Sequence, residues 1–507
     1  DRAGFSFASE IKALLADPAA TRDDDPEGLA DLLFCGRPLG DRTLFRGIRA
    51  LQPGCRFTTD GVTVEIEPYW SVRFDYRRDR PLSAVIDELA DRLREAVDLH
   101  CLSDAPLGSH LSGGLDSSTV AALAATVRPP PLDTFAIRFG GGDYYDESAF
   151  ARAAAAHAGA RLHIGRPDPA ALARMYRTLL WHLDYPVSGD PGLSYASAAR
   201  LAADHVTVSL TGHGGDELFG GYPAQFRTAF GSTAAFQSSA AGLQERAAGP
   251  LRRLRRAWRT GGSRAFLDRA TGRRTALAGL SEAERTWVLL HAAPEPAHNP
   301  LLSRRFVDRL HGYSPVTDYL RDFREAATDE LFDRCIHHDL RTYLPELLHK
   351  EDRASMAVSL ESRVPLLDHE LIEFLATVPP EQKVPGGEPK GLLRAAARRW
   401  LPPSVAERRD KSPFPVPVAG WLAGALGDSF REMLAEERTL DRGIFHADEL
   451  RNRRLEAWSL LQMANVELWY RIFVDGDGSP GPLPPSVEWW TEPPALVQPP
   501  ALGAATG

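Results

Sequence analysis

Ser112-Gly113-Gly114-Leu115-Asp116-Ser117-Ser118 joins an apolar run, Pro106–Leu111, to a helix-forming run, Ser117–Val127, and the reading of this junction decides the fold. Two glycines let a backbone come close to a ligand, and hydroxyls together with the N–H groups of a helix N-terminus cradle phosphate. The string is not the GxxxxGK[ST] loop of ordinary nucleotide hydrolases, and that pattern occurs nowhere in the chain. An aspartate inside an anion-binding loop repels phosphate unless a cation lies between them. Asp116 therefore implies Mg²⁺, held by a carboxylate and phosphate oxygens. The plainer alternative is a tight glycine turn with a Ser/Asp helix cap.

Outward from this junction, strand and helix signals alternate. Strands are expected at Pro106–Leu111, Thr134–Phe139, Arg161–Ile164 and Val206–Leu210, with helices Ser117–Val127, Glu147–Ala158 and two more between them. An amphipathic helix, Leu82–His100, precedes them with Val85, Leu89, Leu93 and Val97 on one stripe. Such alternation implies an α/β fold with a parallel, doubly wound sheet, whose ligands bind beyond the carboxyl ends of the strands. The loops after Leu111, Phe139 and Leu210 are thus the ones to inspect.

The loop after Leu210 is Thr211-Gly-His-Gly-Gly-Asp-Glu-Leu-Phe-Gly-Gly-Tyr222. Glycines and two carboxylates directly after an apolar strand serve no packing purpose. Asp216 is the natural second Mg²⁺ ligand facing Asp116, because a buried carboxylate pair without a cation is costly. Glu217 reads equally well as a carboxylate at a helix N-terminus.

The flanking regions differ in character. Residues 1–75 are expected to be β-rich, with an extended start, a short helix at Ser9–Leu15 and a hairpin, Cys55–Trp70, around Asp60-Gly61. This segment is too short to close a core alone and reads as the last part of a domain. After Tyr222 the pattern is helical to about residue 475, with no further sheet expected. Residues 476–507 are rich in Pro and Gly and read as a mobile tail with one aromatic anchor at Trp489-Trp490.

With 507 residues, two or three domains are expected. A net charge of −9 argues against a nucleic-acid partner, and the Arg-rich stretch 246–274 reads as a solvated helical face. No apolar run approaches the roughly 18 residues needed to cross a bilayer. Cys35, Cys55, Cys101 and Cys335 lack CxxC spacing and are expected to be reduced, buried thiols of a cytoplasmic protein. Only five of the 59 basic residues are lysine, so each lysine marks a candidate site where a compact ammonium is required.

The SGGLDSS loop resembles the pyrophosphate loop of the N-type ATP pyrophosphatases, which cleave ATP between its α- and β-phosphates. Further motifs narrow the likeness. TGHGGDELFGGY, Lys350-Glu-Asp-Arg-Ala-Ser-Met-Ala357, Glu361-Ser-Arg-Val-Pro-Leu-Leu-Asp368, Gly386-Gly-Glu-Pro-Lys-Gly-Leu-Leu-Arg394 and Lys411-Ser-Pro-Phe-Pro-Val-Pro417 resemble bacterial asparagine synthetases in order and spacing. Phe7-Ala-Ser-Glu-Ile-Lys-Ala-Leu-Leu15 resembles the late part of that family's glutaminase domain.

The resemblance implies an adenine nucleotide alpha hydrolase-like sheet in a synthetase domain over 82–475, preceded at 1–75 by a remnant of an Ntn-type glutaminase domain. It implies ATP near Leu111, Ser112, Ile137, Thr211 and Gly212, and pyrophosphate held by Ser112, Gly113, Gly114, Asp116, Ser117 and Ser118. Asp116 and Asp216 would hold Mg²⁺, with Lys390, Glu217 and His213 as the catalytic set. Aspartate would be adenylated on its side-chain carboxylate, and ammonia, from glutamine in a full-length enzyme, would displace AMP. A homodimer is usual among such relatives.

Three departures qualify the likeness. The family's terminal cysteine nucleophile is missing, since the chain starts at Asp1; a piece of a longer protein is expected, with use of free ammonia as the alternative. His213 stands where many relatives carry an acidic residue, and reads either as a base or as a neutral spacer that hydrogen-bonds the loop. Ser412-Pro413 replaces a usual glycine at a turn. A macrolactam- or β-lactam-forming synthetase with the same adenylation chemistry is the competing enzyme reading, and a non-catalytic nucleotide-binding protein the third.

Overall fold

The computed structural model describes residues 5–499 apart from 141, 143–145, 188–191, 231–278, 293–294, 410–415, 452–454 and 478–479. The Arg-rich stretch 246–274, the start of the Lys411 motif and the end of the tail lie outside the described residues.

The Asp60-Gly61 turn closes an antiparallel hairpin, β1 (Cys55–Thr59) and β2 (Val64–Pro68). Ahead of it lie α1 (Ile11–Leu14) and α2 (Pro26–Cys35), so the front is mixed rather than β-rich. The Asp25 carboxylate caps α2 by accepting from the N–H groups of Glu27 and Gly28, and Pro26 at the first position pre-sets its backbone. Too short to close a core alone, this front shares one. Leu29, Leu33 and Phe45 lie in the same buried cluster as Trp469 and Phe473, with the Phe45 and Trp469 rings 5.0 Å apart.

The main sheet has six strands in the order β7-β6-β3-β4-β5-β8. Its parallel strands are β3 (Leu107–His110), β4 (Asp133–Ile137), β5 (Arg161–Gly165), β6 (Val208–Leu210) and β7 (Glu361–Arg363). β8 (Ala495–Val497) runs antiparallel along β5. β7 corrects the expectation of no sheet between Tyr222 and about residue 475, and β8 lies within the segment read as a mobile tail. Three-residue strands carry no readable alternation, and each pairs along only one side.

Helices cover both faces. The stripe of α3 (Leu82–His100), namely Val85, Leu89, Leu93 and Val97, is buried, worth about 2 kcal/mol per side chain. It packs with α4 (Leu115–Val127) and α5 (Ser148–Ala158) on the face that receives Ala136. The opposite face of β4 sends Phe135 against Ala199 and Ala202 of α7 (Leu193–Ala203), which follows α6 (Pro169–His182). Neighbouring residues of one strand thus serve opposite layers.

Within 476–507, Ser486–Trp489 forms a helical turn and Trp489 is fully buried, its Nε1 donating to Pro484 O at 3.1 Å. Cys35, Cys101 and Cys335 are buried free thiols; Cys55 is half-buried in the hairpin. Burial pushes the Cys35 thiol up to about 12, which keeps it protonated. Among the described residues no helix is long and apolar enough to cross a membrane.

Candidate functional site

The chain builds β3, β4 and β5 in one direction and then returns to lay β6 on the other side of β3. Strand order reverses there, so the β3 and β6 loops meet at the topological switch point where open α/β sheets bind ligands. The two loops singled out in the sequence are these two.

The first loop leads into α4, which begins at Leu115, so Asp116 lies in its first turn. Ser112 Oγ is 3.0 Å from Ser117 Oγ, and the Gly114 N–H donates to Ser112 Oγ at 3.4 Å. Leu111 is buried at the end of β3, its N–H bonded to Phe135 O at 2.8 Å, and Ile137 ends β4. Ser118 is buried, and its Oγ has no hydrogen-bond partner among the described residues.

The second loop leads into α8 (Gly215–Phe219). Thr211 is buried with its N–H on Arg363 O at 2.9 Å, and Gly212 backs onto Asp116 and Ser117. His213 Nδ1 lies 2.8 Å from Thr211 Oγ1, and its ring stacks on Tyr195 at 5.6 Å. Glu217 is buried beside Asp216. Burial, then the Asp216 charge, push its carboxyl pKa upward, and the Tyr222 hydroxyl donates to it. Tyr343, on a π-helical turn at Asp339–Tyr343, stands edge-on to Tyr222 with ring centres 5.6 Å apart.

Lys390 joins the loops. Its Nζ lies 2.6 Å from Asp116 Oδ2 and 2.7 Å from Asp216 Oδ1. Burial alone would depress the lysine, but Asp116 and Asp216 outweigh it and raise its pKa, so it stays an ammonium. Its backbone is left-handed at φ +54, in the place before the helix Gly391–Ala397, and its N–H bonds to Phe219 O at 3.2 Å. A non-glycine residue held this way stores strain, which accumulates at functional sites. Gly221 makes room for it: a Cβ there would fall 1.7 Å from Asp216 Oδ1 and 2.3 Å from Lys390 Cε.

The structure therefore brings together Ser112, Gly114, Asp116, Ser117, Gly212, Asp216, Glu217 and Lys390. His213 faces Tyr195 of α7, and nothing places it on Lys390. Two residues escaped the sequence reading. Tyr222 had a signal, standing at the end of the quoted loop. Arg408, which reaches Gly113 O, had none in so arginine-rich a chain.

Among the described residues, no group of three or more His, Cys, Asp or Glu side chains is arranged to hold a metal by itself. Asp116 and Asp216 nevertheless suit a shared Mg²⁺ completed by phosphate oxygens. Both are hard oxygen donors, both lie within 2.7 Å of the same ammonium, and one ammonium leaves the pair net negative.

A largely parallel sheet with two glycine-rich loops and a lysine joining them at its switch point defines an α/β domain with a candidate ligand site. Residues 88–471 match the asparagine synthase family model, and residues 1–70 match the model of a glutamine amidotransferase domain. The chain belongs to the asparagine synthase family. It is 30% identical over 447 residues to asparagine synthetase (glutamine-hydrolyzing) 1 of Bacillus subtilis, a match covering 85% of this chain and 65% of that protein. A putative asparagine synthetase (glutamine-hydrolyzing) of Mycobacterium tuberculosis H37Rv is 31% identical over 460 residues, with the same two coverages. Amidase chyE of Penicillium rubens is 25% identical over 496 residues, 86% of this chain and 68% of that protein. The chain thus spans about 65% of the length of the first two relatives.

Proposed function

We propose that this chain is the amide-forming part of an AMP-forming carbon–nitrogen ligase that makes asparagine from aspartate. The observation that carries the reading is the Lys390 ammonium bridging Asp116 and Asp216 across the switch point. ATP lies over the strand ends beside Leu111 and Ile137, with its β- and γ-phosphates against Ser112–Ser118. Mg²⁺, held by Asp116 and Asp216, would supply charge neutralisation to the phosphates.

An aspartate side-chain oxygen attacks the α-phosphorus, the bond to the β-phosphate oxygen breaks, and pyrophosphate leaves. Lys390 stabilises the negative charge gathering on the phosphates, and Ser112 with the Gly114 N–H holds the leaving group. Ammonia then attacks the acyl carbon, the bond to AMP breaks, and one proton is lost from nitrogen. His213, hydrogen-bonded and stacked, holds the second loop in place or takes that proton. Where a glutaminase activity accompanies this domain, ammonia would come from glutamine. Residues 1–70 support that part of the reading.

A second reading keeps the adenylation and changes the acceptor. It is favoured by His213 in the second loop and by likeness to a protein named an amidase. One assay separates them: AMP and pyrophosphate release from ATP with Mg²⁺ and ammonium, with and without aspartate. Aspartate-dependent AMP with asparagine as product supports the first reading; no AMP in either arm, from a folded protein that binds ATP, moves the substrate to another carboxylic acid. Asp116→Asn should abolish pyrophosphate release with the fold intact, and retained release would remove the metal assignment.

A further inference from the structure

Arg408 reaches the first loop from 295 residues further along the chain. Its side chain is 7% exposed, donates from Nη2 to Glu147 Oε1 at 2.6 Å, and from Nη1 to Gly113 O at 3.4 Å. The guanidinium also lies 3.7 Å from the centre of the Phe150 ring. Glu147 and Phe150 stand at the start of α5, on which the loop itself rests. Gly113 has φ +79, and a Cβ there would fall 2.7 Å from Phe150 Cβ and 2.6 Å from Ala151 N. The segment carrying Arg408 is fastened in turn to the Lys390 helix, because Arg394 Nη1 donates to Ala406 O and, at 3.1 Å, to Arg408 O.

The orientation of one peptide follows from these contacts. In a trans peptide the Gly113 carbonyl and the Gly114 N–H point in opposite directions. With the carbonyl turned to Arg408, the N–H is turned away from it, toward Ser112 Oγ at 3.4 Å. The N–H and the hydroxyl therefore present themselves on the same side of the loop.

We propose that Arg408 is a positioning residue for the pyrophosphate loop. It clamps the Gly113 carbonyl, and so presets the Gly114 N–H and the Ser112 hydroxyl for a pyrophosphate it does not itself touch, while Glu147 keeps the guanidinium in place. Only arginine meets the geometry, since one planar fork must serve a carboxylate and a carbonyl at once and lie flat on an aromatic ring. The proposal rests on the reading of Ser112–Ser118 as a pyrophosphate-holding loop.

The test is titration of the whole chain with inorganic pyrophosphate and Mg²⁺ by calorimetry, alongside melting curves. Arg408→Ala should bind about tenfold more weakly than the wild type, as expected for loss of one charge-assisted contact. Millimolar guanidinium chloride should restore much of that loss, and equal sodium chloride should not. Arg408→Lys keeps the charge but cannot serve both partners, and should stay weakened; Glu147→Gln should weaken binding by less. A folded Arg408→Ala protein that binds like the wild type would overturn the proposal. So would full binding by Arg408→Lys, which would mean a point charge in contact with phosphate. Should the alanine variant not fold, the lysine protein decides: wild-type binding by it overturns the clamp, and weakened binding supports it. If the wild type itself binds no pyrophosphate, the reading of the loop fails and the clamp falls with it.

Discussion

Lys390 Nζ lies 2.6 Å from Asp116 Oδ2 across 274 residues of chain. The two aspartates of the switch-point loops demand a cation, and an ammonium meets part of that demand from a helix of its own. The other described lysines do similar work. Lys12, Lys350 and Lys383 pair with Asp184, Glu346 and Asp333, whose side chains are nearly or completely buried. In these three pairs a point charge is held by a carboxylate the fold has desolvated.

Lys390→Met should lower pyrophosphate release by about 10²–10³-fold, the usual cost of one preorganised charge donor. Lys390→Arg should not restore it, since a longer planar fork does not reproduce one compact charge held 2.6 Å from Asp116 Oδ2 and 2.7 Å from Asp216 Oδ1. Release assays on both variants check this, with circular dichroism to verify the fold.

Gly221→Ala should inactivate the protein without altering any charge. Its methyl would fall on Asp216 and Lys390, so the loss should match that of Lys390→Met in release assays. An alanine variant with wild-type turnover would show that the Asp216–Lys390 contact is dispensable.

His349 should make stability depend on pH. Burial, opposed by the Leu183 carbonyl on its Nε2 at 2.7 Å, holds its pKa down to about 4 from an ordinary 6.5. A lowered folded-state pKa stabilises above the unfolded value, and that contribution is lost as pH falls from 6.5 through about 4, roughly 3 kcal/mol in all. Urea unfolding of wild type and His349→Gln across this window should show a shallower decline in the variant.

Trp489→Ala should cost about 3–5 kcal/mol, because a fully buried indole is removed from the core. The strand that follows it should loosen too, since Asp168 N bonds to Trp489 O at 2.8 Å just before β8 returns along β5. Hydrogen exchange at the Leu162 and Ile164 amides would report this loosening.

What could be read from residues alone follows the range of the interactions involved. The α3 stripe, the parallel strands β3 to β6 and the two glycine-rich loops are local patterns, governed by helix and strand periods and by backbone freedom at glycine, and each stands within a residue or two of its expected place. The front helix Pro26–Cys35 was legible in its Asp-Pro cap but hidden by the expectation of a β-rich remnant. β7 and β8 were not legible at all, because three residues carry no period and their partners lie far away in the chain.

Sequence by itself determined that Asp116 and Asp216 close two loops at strand ends, and that Lys390 belongs to a short list of ammonium sites. Only tertiary structure decided that β6 returns beside β3, so that both carboxylates face one lysine, and that Arg408 rather than any of its neighbours reaches the Gly113 carbonyl. The physical reason is that charge pairing and desolvation depend on distances of a few ångströms between residues hundreds apart, and no local pattern in the chain encodes those distances.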